Sequence, residues 1–559
     1  MASPLLGSVL SAIRGVFRRR DTDASPDSLS ALVNGSPAFL FQINHNAQLG
    51  RHAVASAALA GRAPGTILLR ETSAVWTPTD GGITSVCHHC AAELDSAGSR
   101  RTSCTGCDGQ THYCSAKCRD AHAPLHSPVC RLHANAPVLA ARHHCPQSLV
   151  LALLALIARR CRSLSQPAVH SPAQARIPAD PLTFEADPTA FAQMHGDPQT
   201  IDAAARRCLR TLADSLCDGL PEEQRPPFDL FLKWTAQINA NSHGLQRAHK
   251  TQEDFGLGLF PLSSLFNHSC IPNCTYTNEG AQMVLRLLRT VDEGEELCVN
   301  YVELYAARDE RRAELKAGKR FECRCPRCTH SPRNAAETRL LQSELFVSGV
   351  LCDQTPGCTG LLRECNVHTD RVGDRSAQWA CTACNARCTY GSIADTHLTP
   401  LRNSLQSATT LYSEGLTIAS APRIRAAFEA VLKEALVRLP PSHAIVFHCH
   451  LPLINCCSTL GDYEAMATHA RAVVALADAT LPRHLPVANY LAALAKALEL
   501  SANMRPPLPH ALRRQHATEA CAAWERALEI YEVCLGAKHP QTARTRAQLL
   551  KAQAAAKSL

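Results

Sequence analysis

Eight metal-ligand residues in four pairs fall between Cys87 and Cys130, and they leave this stretch few ways to fold. The pairs are Cys87-x2-Cys90, Cys104-x2-Cys107, Cys114-x3-Cys118 and His126-x3-Cys130. A tetrahedral zinc takes four thiolate or imidazole donors, and a short spacer lets one turn deliver two of them. Eight donors therefore predict two zincs. The 44-residue stretch has too few aliphatic side chains to build its own core, so metal binding is expected to supply its folding energy.

The chain has 28 cysteines among 559 residues. A disulfide scaffold of the secreted kind is small and follows a signal peptide, and neither feature is read here. Reduced or metal-bound thiols in the nucleus or cytoplasm are the expectation. A hydrophobic content of 46% with 19% charged residues describes a globular, multidomain protein. The formal net charge of +8 is modest and its basic residues are scattered, so direct nucleic-acid binding is not expected. No apolar run reaches the roughly 18 residues that cross a bilayer. At the N-terminus, Leu6, Leu10, Ile13 and Phe17 share a helical face near Arg14 and Arg18 to Arg20. A basic tail is the expected reading, with mitochondrial targeting as the minor alternative.

A second set of motifs lies downstream. Asn267-His268-Ser269-Cys270-Ile271-Pro272-Asn273-Cys274 is followed by Gly294-Glu295-Glu296-Leu297, then Asn300-Tyr301, then Cys323-x-Cys325-x2-Cys328. The last run supplies three thiolates and leaves one position of a tetrahedral metal to be filled. Upstream of the first cysteine pair stand Gly50-Arg51-His52-Ala53-Val54-Ala55 and a strand-like Gly65 to Glu71.

In this order the motifs resemble a SET domain interrupted by a MYND finger, the arrangement of the SET- and MYND-domain (SMYD) family of protein-lysine methyltransferases. The resemblance implies an α+β multidomain fold: a split SET β-fold with an inserted MYND zinc finger, a post-SET zinc site and a C-terminal all-α, tetratricopeptide-like domain. It implies interleaved zincs in the finger, one on Cys87, Cys90, Cys114 and Cys118 and one on Cys104, Cys107, His126 and Cys130, with His122 as a spare. A third zinc is implied on Cys270, Cys323, Cys325 and Cys328. S-adenosylmethionine is the implied cofactor, bound by the Gly50-Arg51-His52 turn, Asn241 (Asn239 in the alternative register), Asn267 and His268, with Phe321 packed on the adenine. Tyr301 is implied at the methyl-transfer site. The segment at Asn267 is implied to thread beneath another as a pseudoknot.

Two departures stand out. The family has glycine where this chain has His52, whose bulk either points away or weakens cofactor binding. The finger tryptophan that usually follows Cys118 is replaced by Ala123, which bears on docking of proline-containing peptides. A catalytically inactive scaffold acting through its finger and helices is the alternative reading.

In the C-terminal half, Cys352, Cys358, Cys381 and Cys384 have the spacing of a zinc ribbon, with Trp379 beside them and Cys365 and Cys388 as further candidates. They form a possible site for a fourth zinc. From Thr396 onward the sequence is Ala- and Leu-rich with helical periodicity, and Gly461-Asp462-Tyr463-x-Ala465 resembles a tetratricopeptide turn. The expected organisation is a flexible basic segment 1–35, a SET N-terminal part 36–86, the finger 87–130, a helical insert 131–250 in which the stretch Leu230 to Leu245 resembles the family's helix ending in an asparagine, here Asn241, the SET catalytic core 251–310, the post-SET motif 311–330, a linker with the ribbon 331–395 and the helical domain 396–559. The expected partner is a protein, histone or other, that carries the target lysine. A monomer is expected.

Overall fold

The computed structural model describes residues 28–94, 101–165, 183–185, 188–247, 250–365, 374–481, 483–504 and 508–558. The N-terminal helix expected at residues 6–17 lies outside them, as does most of the Pro- and Ala-rich interruption expected around Ser165 to Pro188. The chain forms two compact units. The first holds residues up to Asn267 and Asn273–Val299; the second holds His268–Pro272 and Asn300–Leu559.

In the first unit, the helix Ser28–Asn34 lies inside the segment 1–35 expected to be flexible. Leu29 and Val33 are buried, and the Asn34 amide brackets the main chain of Ile43, accepting from its N–H at 2.8 Å and donating to its carbonyl at 3.0 Å. A hairpin follows, Phe41–Asn46 with Gly50–Ala55, in antiparallel register. Its turn is closed by the Asn46 side chain, which accepts from the N–H groups of Gln48 and Leu49, as asparagine does at turns. Gly50 sits there at φ 67°, where a Cβ is disfavoured.

A four-stranded sheet orders Cys274–Glu279, Gln282–Leu287, Ile67–Thr72 and Thr183–Glu185. A three-stranded sheet orders Val75–Pro78, Lys250–Leu259 and Ser242–Arg247. Helices Cys130–Arg142, Gln147–Ser165, Ala203–Cys217 and Phe228–Asn241 share an apolar core that includes Leu153, Ile157, Leu216, Phe231 and Trp234. The last helix ends at Asn241, the asparagine at which the resemblance ends it. Ser242 to Leu245 instead pair with Leu259 to Gly256, so a sheet edge takes over the main-chain groups that another helical turn would have used.

The second unit opens with the helix Arg308–Lys319, a short turn of helix Pro326–Thr329 and the helix Ala335–Ser348. A four-stranded antiparallel ribbon follows: Val350–Leu351, Leu361–Glu364, Gln378–Cys381 and Arg387–Thr389. The helices Ala421–Arg438, Ala444–Leu460, Tyr463–Thr480, Leu485–Ala502, His510–Cys534 and Pro540–Ser558 then pack each on the next. Buried alanines such as Ala467, Ala470, Ala495, Ala523 and Ala527 allow the close approach of their axes. Among the described residues no helix is long and apolar enough to cross a membrane.

Candidate metal clusters and methyl-transfer residues

Four groups of four ligands converge, and within each group the donor atoms all lie within 4.8 Å of one another. In the finger, Cys87, Cys90, Cys114 and Cys118 form one group and Cys104, Cys107, His126 and Cys130 the other. The pairs thus alternate along the chain. A tetrahedral zinc with Zn–S bonds near 2.3 Å sets its sulfurs about 3.8 Å apart. The Cys90–Cys114 and Cys104–Cys130 separations are 3.7 and 3.6 Å. His126 is buried, yet neither ring nitrogen has a hydrogen-bond partner. Burial also pushes its pKa below the usual histidine value. A neutral, orphaned imidazole beside three thiols is the donor set a zinc requires. The spare, His122, is engaged elsewhere: Nδ1 lies 3.1 Å from the Tyr113 hydroxyl.

The third group joins Cys270 to Cys323, Cys325 and Cys328, with Cys270 and Cys328 sulfurs 3.6 Å apart. Hydrogen bonds from the other three thiols hold Cys270 well below the ordinary thiol value, against the burial that pushes it up. Beneath it, Glu344 accepts from Arg311 at 3.0 Å and from Arg327 at 2.5 Å. All three side chains are essentially inaccessible. Arg327 also donates to the carbonyls of Leu304 and Cys270. Two cations against one carboxylate leave a positive balance facing the thiolate cluster, which suits a centre whose four thiolates outweigh a divalent metal. Nothing in the sequence spacing points to this triad, whose members meet only in the fold.

The fourth group is Cys352, Cys358, Cys381 and Cys384. Cys365 is exposed, and neither it nor Cys388 belongs to the group. The N–H groups of Gly360 and Ala383 point at the sulfurs of Cys358 and Cys381, both at 3.4 Å. A Cβ on Gly360 would come within 2.4 Å of the Cys381 sulfur, so glycine is required for that approach.

The expected cofactor residues fall into both units. In the first, the His52 ring is buried and its Nδ1 lies 2.9 Å from the Gly50 carbonyl. It lies on the face it shares with Val54 and with Asn44 across the pair, opposite the face of Phe41, Ile43 and Ala53. Arg51 donates to the Gln193 carbonyl at 2.6 Å. Asn241 is buried, with its amide hydrogens on the carbonyls of His195 and Gln237, whereas Asn239 is exposed. Asn267 donates to Glu296 at 3.0 Å and more weakly to the Leu49 carbonyl. The turn before it is held by Glu71. That buried carboxylate accepts from the N–H of Leu262 and of Ser263 and from the Ser263 hydroxyl, at 2.6 to 2.8 Å. Burial pushes its pKa to about 7. Strand alternation was the signal for it, since Glu71 shares the inward face of Leu69.

In the second unit, His268, Tyr301 and Phe321 form one aromatic group. The His268 ring lies 5.5 Å from that of Tyr301 and 6.2 Å from that of Phe321, centroid to centroid. The Tyr301 N–H donates to His268 Nδ1 at 3.0 Å, and His268 Nε2 lies 3.3 Å from the Cys270 sulfur. With Nδ1 accepting, the ring carries its proton on Nε2. Both nitrogens are thereby committed to protein partners. The Lys319 ammonium lies 5.5 Å from the Tyr301 ring centre. A separate cavity of about 80 Å³ is lined by Arg308, Asp309, Trp379, Tyr390, Arg402 and His443, among others, but by none of the expected cofactor residues.

Residues 142–302 match the SET domain family model, so the chain contains a SET fold carrying cysteine clusters of zinc-binding type. With the finger clusters in front, it belongs to the SET- and MYND-domain family. It is similar to the histone-lysine N-methyltransferase SMYD3 of Mus musculus, 28% identical over 50% of this chain and 59% of the relative. It is also similar to a SET and MYND domain-containing protein of Dictyostelium discoideum, 33% identical over 24% of this chain and 34% of the relative. The histone-lysine N-methyltransferase ASHR2 of Arabidopsis thaliana is 25% identical over 52% of this chain and 72% of the relative. The chain thus spans just over half of the first relative's length and about a third of the second's.

Proposed function

We propose that this chain is an S-adenosylmethionine-dependent protein-lysine N-methyltransferase that acts on a histone or another protein, with Tyr301 at the methyl-transfer site. The observation that carries the reading is the His268–Tyr301–Phe321 group, tied through His268 to the Cys270 cluster. Its similarity to two histone-lysine N-methyltransferases, those of Mus musculus and Arabidopsis thaliana, supports the reaction class.

S-adenosylmethionine, when bound, supplies an electrophilic methyl group on a sulfonium. Asn267 keeps its side-chain oxygen for the cofactor, because its amide hydrogens already face Glu296 and Leu49. His268, with both ring nitrogens used internally, serves through its main chain. Phe321 offers a flat surface for the adenine; such stacking is worth roughly 1–3 kcal/mol. The Tyr301 hydroxyl holds the incoming lysine nitrogen on the methyl axis and stabilises the reacting geometry, while the amine gives up its proton to water. Glu71 positions the turn that delivers Asn267. The Cys87, Cys104 and Cys270 groups hold zinc in structural roles, with closed four-ligand sets that leave no open position for chemistry.

The retained Tyr301 and the intact Asn267–His268 pair support the catalytic reading over the inactive scaffold, the alternative that His52 keeps open. The test is calorimetric titration of zinc-loaded protein with S-adenosylmethionine, beside Tyr301→Phe and His52→Gly, followed by methylation of histone and peptide arrays. Binding by the parent and by Tyr301→Phe, with methyl transfer by the parent alone, is expected. Binding restored only by His52→Gly would install the scaffold reading.

A further inference from the structure

The helix Arg308–Lys319 ends on a lysine at the methyl-transfer group. Its successor, Arg320, takes the left-handed conformation at φ 61°, which is disfavoured for a non-glycine residue. That turn ends the helix so that Lys319 and Phe321 flank one corner of the chain. The Lys319 Nζ then rests over the Tyr301 ring at 5.5 Å from its centre. Tyr301 in turn lies against His268, and His268 against Phe321.

We propose that Lys319 is an internal methyl acceptor, a self-methylation site of this chain. The proposal rests on the catalytic reading of Tyr301. A methyltransferase for lysine needs a lysine nitrogen beside the tyrosine that orients it, and the fold already presents one from its own helix. In the step, the Nζ lone pair forms a bond to the methyl carbon. The carbon–sulfur bond breaks with its electron pair staying on sulfur, S-adenosylhomocysteine leaves, and the nitrogen passes one proton to water. Transfer requires the neutral amine. Burial of Lys319 pushes its pKa below the usual lysine value, which enlarges that fraction at neutral pH. Lys316, one turn earlier on the same helix, is more than half exposed and paired with Glu322 at 2.7 Å. It supplies the internal control.

Three measurements on the full chain test the proposal. First, trace labelling with acetic anhydride, without cofactor, should modify Lys319 faster at pH 7 than expected for an equally accessible ordinary lysine; Lys316 is the reference. Second, peptide mass spectrometry after incubation with S-adenosylmethionine should show added methyl groups at Lys319 and not at Lys316. The rate per chain should be independent of protein concentration, as a reaction within one molecule demands. Third, Lys319→Arg should abolish self-methylation while S-adenosylmethionine still binds by calorimetry. Methylation of histone or array peptides without any at Lys319 would overturn the proposal and leave the catalytic reading standing. A rate per chain that rises with concentration would overturn it as well, by making Lys319 a substrate in trans. Absence of cofactor binding by the parent would overturn both.

Discussion

The main-chain N–H of Tyr301 donates to Nδ1 of His268 at 3.0 Å. One histidine thereby fixes the backbone of the residue assigned to the substrate amine, and its other nitrogen leans on the Cys270 sulfur. Replacing it should therefore disturb the rate before the fold. For His268→Ala, kcat should fall by about 10²-fold, the scale of a misplaced reacting group. Metal content should stay at the parent's value, read by elemental analysis of the same sample. Loss of a full metal equivalent would reassign His268 to the metal centre.

Glu344 balances two wholly buried guanidinium groups. A buried ionic group that loses its partner costs about 3–5 kcal/mol. Glu344→Gln should lower the unfolding free energy of zinc-loaded protein by that amount, read as a lower urea midpoint with little change in slope. An effect below about 1 kcal/mol would mean that the main-chain carbonyls around Arg327 suffice to hold the charges.

The orphaned ring of His126 predicts a stoichiometry. His126→Ala should lose one zinc equivalent and leave the others, because the remaining finger group is all cysteine. Direct metal analysis after dialysis reads this out. Chelation of the parent should unfold the finger first, as the segment with least core of its own.

Glu71 predicts a pH dependence of stability. Its folded pKa, about 7, lies above the ordinary 4.5, so between these values the folded state binds more protons than the unfolded one. Stability from this group is complete below pH 4.5 and is lost as pH rises toward 7. The window holds roughly 3 kcal/mol at about 1.4 kcal/mol per pH unit. Glu71→Gln should flatten that slope in unfolding midpoints measured from pH 5 to 8. An unchanged slope would place the titration elsewhere.

The cysteine spacing made the metal groups legible, because a metal demands donors at short intervals and little else can be done with them. The alternation of pairs in the finger came from family resemblance, since spacing alone allows several pairings. Tyr301, His268 and Asn267 were legible as a string. What was not legible were the supports that come together only in the fold: Glu71 reaches residues nearly two hundred positions away, and Glu344 meets arginines 33 and 17 positions away. Lys319 escaped notice because a lysine at a helix C-terminus reads as ordinary dipole compensation. The helix at Ser28–Asn34 escaped because its two buried residues lie beside a long polar, basic stretch.

The helix Arg308–Lys319 is gripped at one end and used at the other. At its start, Asp309 accepts from the hydroxyl of Tyr390, just past the last ribbon strand, at 2.7 Å, and Arg402, on the helix Thr399–Ser413, holds both Asp309 and Glu310. At its far end stand Lys319 and Phe321. Twelve residues at 1.5 Å each make a lever of about 18 Å. A tilt of about 5° at the gripped end swings the tip by roughly 1.5 Å, and about 1 Å of misplacement is enough to cost 10²-fold in rate. On the proposed reading of Tyr301, whatever loads or unloads that grip, such as a protein pulling on the neighbouring helices, has a mechanical handle on the chemistry without approaching it.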